Sequence, residues 1–414
     1  MEKFYYEKWL KLGEKALRRG IDIADYFQNY LDSIIEVYDL IKQKYFGIIK
    51  EIDFFKIHNR MNKETGSDEE IIGTIYGIDS SQAGFHRIGG FLVVPITASK
   101  VKLNIKIYKD AGVAEVINNN YAVETDVPNN IHDGLSPEIA ARKAHIAMLN
   151  MEVYMLDSIY DELNNYDKEE MVKKPVLIYI DGPIIDPPDI KIHVEEFNDY
   201  MSSRALAVKK ILSLGSNVYI IGFVKRVMGQ MFYKRLVEDY SEKIRIERKE
   251  FENDWTLSSI LLKYHLIKNC SPDEKCVAYT KPLPLDDRNL SFFDEEGLSI
   301  YYSYVIFQNF DTIGPYRIDF AIPKIELNSS DLEHKLEHTL EEILYITSKT
   351  LIPGHKYPLP ISLAHTLCTL PRREAKKIIR IITSKLLKEL SISKDKGSLT
   401  YEFILTLLSS EGEI

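Results

Sequence analysis

Between Pro175 and the pair Asp181-Gly182 lies Val176-Leu177-Ile178-Tyr179-Ile180, five apolar residues in a row with no alternation. A strand with one wet face alternates apolar with polar residues. An unbroken run bounded by turn formers therefore predicts a short strand buried on both faces. Such a strand needs cover above and below, which restricts the chain to layered α/β architectures. The segment that follows points the same way. Residues from about His193 to Leu214 read as a helix closed by Gly215, and Val218 to Val224 as a second apolar strand ending at Lys225-Arg226. Strand, helix, strand at this spacing predicts a parallel pair joined by a right-handed crossover.

Upstream the period is that of strands. Gly73 to Ile78 reads as a strand ending at Asp79-Ser80-Ser81, Gly90 to Ser99 and Val101 to Tyr108 as two more, and Gly112 to Ile117 as another. Their short connections predict an antiparallel meander. Ser136 as N-cap, Pro137 at the first position and Glu138 in the first turn open a helix to about Leu163. Its stripe is Ala144, Met148, Met151, Met155 and Ile159. Residues 1 to about 60 read as helices, with an apolar stripe over Tyr26 to Ile35, and Lys63 to Asp68 as a linker. Further on, Leu298 to Phe310 and Tyr316 to Ile322 form a hairpin pattern, and Asp331 to Ser348 a helix. Tyr357-Pro358-Leu359-Pro360 leads into a helix bearing His365, and Pro371 starts a last helix to about Leu390. Residues 240–297 are mixed and charged and read as an insertion. The order predicts an RNase H-like mixed sheet core flanked by helices, with N-terminal and C-terminal helical extensions. The expected division is an arm over 1–66, a main domain over 71–390 and a tail over 391–414.

The 414 residues, 45% hydrophobic, are ample for a large core, and 28% charged residues with 26 Tyr and 17 Phe exclude a disordered chain. No apolar run is long enough to span a bilayer, and Met1-Glu2-Lys3-Phe4 does not open a signal peptide, so a cytoplasmic protein with no membrane partner is expected. Cys270, Cys276 and Cys368 fit a reducing compartment; Cys270 and Cys276 lack a zinc spacing and a second pair, so neither zinc nor a disulfide is expected there. The net charge of −9 speaks against a broadly basic nucleic-acid surface but leaves room for a local basic channel, and metal ions neutralise an acidic site.

Three carboxylates stand out. Asp79 and Asp181 each follow a strand. An aspartate there caps turns, yet the carboxyl ends of buried strands are also where α/β sheets carry their sites. Glu152 lies four residues after Met148 and three before Met155, at the border of the helical stripe. A carboxylate there costs stability unless it is paired, metal-bound or able to reach solvent. Two strand ends and a helix can hold hard divalent ions, which prefer oxygen ligands and keep waters for a substrate phosphate. His365, amid Ser362-Leu363-Ala364 and Thr366-Leu367, is either a core histidine or a ligand or acid–base group. Tyr357, eight residues earlier, is either packed or a phosphate contact.

In its order this set resembles the NurA nuclease family. The matching segments are Gly77-Ile78-Asp79-Ser80-Ser81, Leu149-Asn150-Met151-Glu152, Tyr179-Ile180-Asp181-Gly182, Tyr357-Pro358 and Ala364-His365. Gly222 to Arg226 and Tyr316 to Phe320 resemble the family's lysine-bearing strand end and arginine-bearing strand. The chain departs from the pattern at Ser80, where the family often has Gly, and at Pro183, where it has Ser. The stretch from Glu152 to Asp181 is also long, which leaves Asp157 and Glu162 as alternatives to Glu152.

The resemblance implies a metal-dependent DNA nuclease. Its activities would be 5′-3′ exonuclease on single- and double-stranded DNA and endonuclease on single strands, in end resection for recombinational repair. It implies a homodimer that works with the HerA hexameric translocase, and Mn2+, or Mg2+, as cofactor. Asp79, Glu152, Asp181, Tyr357 and His365 are the implied catalytic residues, with Asp79, Asp181, His365 and Glu152 as metal ligands. Lys225 and Arg317 are expected DNA contacts. So are Arg373, Lys377 and Arg380, on the face of the last helix opposite Ile378, Ile379, Ile382 and Leu386. Two other readings compete: an RNase H-like enzyme acting on RNA or guided targets, which must engage the 2′-hydroxyl, and an inactive HerA-binding subunit that gates DNA.

Overall fold

A computed structural model describes residues 15, 17–20, 35–65, 70–88, 91–128, 131, 135–166, 174–186, 196–225, 229–240, 253–287, 289–309, 311–324, 329–369 and 372–392. Three layers are built around one mixed sheet. The predicted double-buried strand is β7 (Val176–Ile180), and all five of its residues are buried. It lies at the centre because both neighbours run parallel to it, β2 (Glu70–Gln82) on one side and β8 (Val218–Val224) on the other. Beyond β2 come β5 (Ile96–Tyr108) and β6 (Glu115–Asp126), both antiparallel to their neighbours. Beyond β8 the sheet continues antiparallel through β12 (Asp311–Pro323), β11 (Leu298–Asn309), β9 (Cys276–Thr280) and β1 (Phe46–Lys50). β10 (Leu283–Pro284) adds to β11, and β3 (His86–Ile88) pairs with β4 (Phe91–Val93) separately.

Alternate residues of the central strands feed two cores. Tyr76, Ile78, Ile178, Ile180 and Ile220 face a cluster built with α2 (Pro137–Asn164) and α3 (Glu196–Leu212). Ile75, Leu177, Tyr179, Ile221 and Phe223 face the other, built with α1 (Glu51–Thr65), α7 (Ser329–Thr350) and α8 (Leu359–Cys368). The Ser136 cap of α2 accepts from the Ile139 backbone N–H, as the sequence predicts.

Several segments differ from the sequence expectation. The two strands expected over Gly90 to Ser99 and Val101 to Tyr108 are a short β4 and a single long β5, because Lys100 keeps its place in the ladder opposite Ile78 while its Nζ reaches Ser158 and Glu162. The expected strand at Gly112 to Ile117 starts later and runs to Asp126; eleven of its twelve residues are exposed, so no apolar alternation marks it. Phe46–Lys50, within the segment expected to be helical, is a strand on β9. Residues 240–297 begin at the last residue of α4 (Met231–Tyr240) and carry α5 (Asp254–Asn269), β9, β10 and α6 (Leu290–Glu295), and β9 sits inside the main sheet. Cys270 and Cys276 form a disulfide, contrary to expectation; the end of α5 and the start of β9 bring the two Cα atoms to 6.7 Å. The stripe over Tyr26 to Ile34, the linker over Gly66 to Asp68 and the tail beyond Ile392 lie outside the described residues. Among the described residues no helix is long and apolar enough to cross a membrane.

Helix α8 lies close over β2 because Gly77 leaves room for it. A Cβ at Gly77 would stand 2.3 Å from the Pro360 carbonyl oxygen. Ser99 Oγ donates to the Ala364 carbonyl at 2.7 Å and Ser81 Oγ to that of Cys368 at 2.5 Å, which fixes the helix end that carries His365. Gly77→Ala must push α8 off the sheet. The expected cost is about 1–3 kcal/mol in urea denaturation, and an unchanged midpoint would contradict this packing.

Candidate active site

The register of β2 on β7 decides where the two aspartates meet. Ile78 is paired with Ile180 in the parallel ladder, and the Asp181 N–H donates to the Ile78 carbonyl at 3.0 Å. One residue further along both strands, Asp79 and Asp181 stand side by side, on strands about 4.8 Å apart. Both belong to the α8 face by alternation. Asp79 Oδ1 accepts from the Ser80 backbone N–H at 2.8 Å, which fixes the carboxylate. Gly182, at φ +143°, lets the chain turn away directly after Asp181. A Cβ at Gly222 would stand 2.7 Å from the Ile184 nitrogen, so β8 accepts that turn only because the position is glycine.

Helix α8 brings in the histidine. His365 Nδ1 is 2.7 Å from Asp79 Oδ2 and 3.9 Å from Asp181 Oδ2, and the ring remains 61% exposed. Lys225, at the end of β8, donates from Nζ to Asp181 Oδ2 at 2.5 Å. The same ammonium lies 4.3 Å from the centre of the Tyr357 ring, and Tyr357 packs against Tyr316. Asp79, Asp181, Tyr357, His365 and Lys225 therefore form one group.

Glu152 is not in that group. It is buried on the opposite face of the sheet, where Ser80 Oγ donates to its Oε1 at 2.6 Å and Arg204 Nη1 to its Oε2 at 3.1 Å. The alternation of β2 accounts for this: Asp79 points to α8 and Ser80 to α2. The other two candidate carboxylates are in ion pairs elsewhere, Asp157 with Lys210 at the surface and Glu162 with the partly buried Lys100 and Lys102.

The expected DNA contacts also divide. Arg317 is paired within the fold. Its fork is committed to Asp319, with Nε to Oδ1 at 2.7 Å and Nη2 to Oδ2 at 2.9 Å, because Asp319 has no exposed surface and needs a counter-charge. Lys225 serves Asp181 first. Lys377 and Arg380 are exposed on α9 (Arg372–Ile392), Lys377 paired with Glu374, while Ala375 and Ile379 are buried beneath. The Arg373 side chain lies outside the described residues.

Three participants are absent from the sequence expectation. Cys368 lies one turn after His365, and its sulfur is within 4.8 Å of ligand atoms of Asp79 and His365. Burial, and then the charge of Asp79, push its thiol pKa well up. The three-residue step from His365 was the available signal. The other two, Arg204 and Asp186, lie with Glu152 behind the sheet, Arg204 Nη1 standing 3.7 Å from Asp186 Oδ2. Nothing local distinguished Arg204 from an exposed helical arginine.

The electrostatics set the site apart from an ordinary pair of turn caps. Burial, and then the neighbouring charge of Asp79, push the Asp181 carboxyl up to about 6, against the pull of Lys225. Burial raises Glu152 to about 7 even beside Arg204. Two carboxylate oxygens facing an imidazole nitrogen form a donor set that suits Mn2+ or Mg2+, and a divalent cation would favour the ionised form of Asp181 that burial disfavours. The residues present fit such an ion.

Because the folded-state pKa of Asp181 lies above its ordinary 3.8, the folded state holds that proton more tightly. The penalty is absent below pH 3.8 and grows until about pH 6. The stability difference between Asp181→Asn and the unmodified chain should therefore shift in favour of the variant as pH rises through that window. Denaturation midpoints across the window check this; a flat or opposite trend would contradict it.

Residues 73–368 match the family model of the NurA domain. A solved structure similar to this chain is that of the NurA nuclease from Sulfolobus solfataricus, 14% identical, with a TM-score of 0.42 over 91% of this chain and 98% of that one. No curated protein matches the chain.

Proposed function

The chain belongs to the NurA family, and on that premise we propose that it is a metal-dependent DNA nuclease whose site is the Asp79, Asp181 and His365 group. The observation that carries this reading is the register that sets the buried Asp79 and the partly buried Asp181 side by side just past the parallel pairing of β2 with β7, with an exposed imidazole across from them. Asp79, Asp181 and His365 would hold Mn2+, with Mg2+ as the alternative. When bound, such an ion supplies an activated water and stabilises charge on the phosphodiester.

The chain's own groups have separate tasks. The Ser80 N–H orients Asp79. Lys225 tempers the Asp181 carboxylate, and its ammonium, which lies over the Tyr357 ring, would meet the substrate phosphate. The exposed face of His365 stays open to the substrate. Lys377 and Arg380 offer a basic flank for the DNA backbone. The strand order β6-β5-β2-β7-β8, three antiparallel and then two parallel, supports the RNase H-like description of the core. Membership of the family is the ground for proposing 5′-3′ digestion of single- and double-stranded DNA, single-strand endonuclease activity, a homodimer, and work with HerA in end resection.

Digestion of 5′-labelled single- and double-stranded DNA, with and without Mn2+, tests the proposal. Cleavage should require the metal. Asp79→Asn and Asp181→Asn should each lower it on the order of a thousandfold or more, since several kcal/mol of charge stabilisation are removed, while the variants stay folded. Full activity in either variant would overturn this site. Cleavage of RNA in preference to DNA would overturn the substrate.

A further inference from the structure

The opposite face of the sheet holds a second charged group, all of it buried. Arg204 on α3 is 1% exposed. Its Nη1 donates to Glu152 Oε2 at 3.1 Å and to Tyr200 Oη at 2.7 Å, its Nη2 donates to the Pro183 carbonyl at 2.9 Å, and Asp186 Oδ2 lies 3.7 Å away. Glu152 in turn accepts from Ser80 Oγ at 2.6 Å. Tyr200 Oη donates to Asp186. Ser80 is the neighbour of Asp79, and Pro183 lies two residues after Asp181. One guanidinium thus reaches both strand ends, through Glu152 and Ser80 on β2 and through the backbone of the turn that leaves β7.

Buried ion pairs add little net stability compared with apolar residues of similar volume, because desolvation offsets the attraction. What a planar fork with fixed donors adds is geometry. We infer that Arg204 is a positioning residue of the metal site. It holds Ser80 and the turn after Asp181 from behind, so that the two aspartates keep the separation a divalent ion needs. The inference rests on the nuclease reading above. It gives Glu152 a place as the link between Arg204 and β2.

The test uses the full chain and Mn2+ alone, followed by electron paramagnetic resonance, with thermal unfolding and DNA cleavage measured in parallel. Arg204→Lys keeps the charge but cannot span three acceptors. Ser80→Ala removes one hydroxyl and decides the matter if Arg204→Lys fails to fold. Both should melt close to the unmodified chain. Both should raise the Mn2+ dissociation constant, Arg204→Lys on the order of tenfold, and lower kcat with KM for DNA within about twofold, since no DNA contact is touched. Combining Glu152→Gln with Arg204→Lys should weaken Mn2+ binding no further than Arg204→Lys alone, as expected of groups that act as a unit.

If the unmodified chain takes up Mn2+ and both Arg204→Lys and Ser80→Ala bind it equally well, the inference is overturned and the nuclease reading stands. The inference is also overturned if Glu152→Gln alone loses Mn2+ while the other two keep it, because Glu152 would then be a direct ligand. If the unmodified chain takes up no Mn2+, the nuclease reading falls and this inference with it.

Discussion

Everything at the site depends on one pairing, that of β2 with β7 in parallel register. It sets Asp79 beside Asp181 where the buried part of the sheet ends. Two carboxylates in a poorly solvated place repel each other; burial first, and then the charge of Asp79, raise the pKa of Asp181. The fold tolerates it because the strands themselves are secured by apolar packing on both faces, with all five residues of β7 buried. Lys225 and His365 relieve part of the repulsion, and a divalent ion would relieve more. Stability surrendered at a strand end in this way is what a metal-binding site requires.

The surrounding sequence supports that pairing from two sides. On one face, Gly77, Ser81 and Ser99 let α8 descend close to the sheet and pin its last turn, which places His365 over Asp79. On the other, Ser80, Glu152 and Arg204 tie the same strand end to the turn after Asp181. Consecutive residues of β2 thus serve opposite faces: Asp79 carries the charge and Ser80 the tether. Alternation along one strand is sufficient to build both layers of the site.

Much of this was legible in the sequence. The apolar run of β7, the capping signals of α2 and the strand, helix, strand spacing are local patterns with direct structural consequences, and they placed Asp181 at the end of β7; Asp79, expected to follow its strand, lies within β2, which stays paired with β5 as far as Gln82. His365 and Tyr357 were legible only through the ordered motifs, since a histidine among apolar residues is ambiguous by itself. Glu152 was legible as a carboxylate at the border of an apolar stripe, and it is buried. Its partner was not visible, because Arg204 is 52 positions away in the chain and reaches it only through the packing of α3 on α2. Arg317 was expected to contact DNA, but its guanidinium is paired with Asp319 two residues on, which period-two alternation places on the same face. The disulfide and the β1 strand were missed for a related reason: both depend on β9, whose position inside the sheet no local pattern announced.

The claim that these aspartates form a metal centre is tested most directly by an anomalous difference map from a crystal soaked in Mn2+. The account predicts a peak roughly 2 Å from oxygens of both Asp79 and Asp181, with the His365 ring turned towards it. A peak elsewhere, or none at this site when the ion is present at saturating concentration, would contradict it.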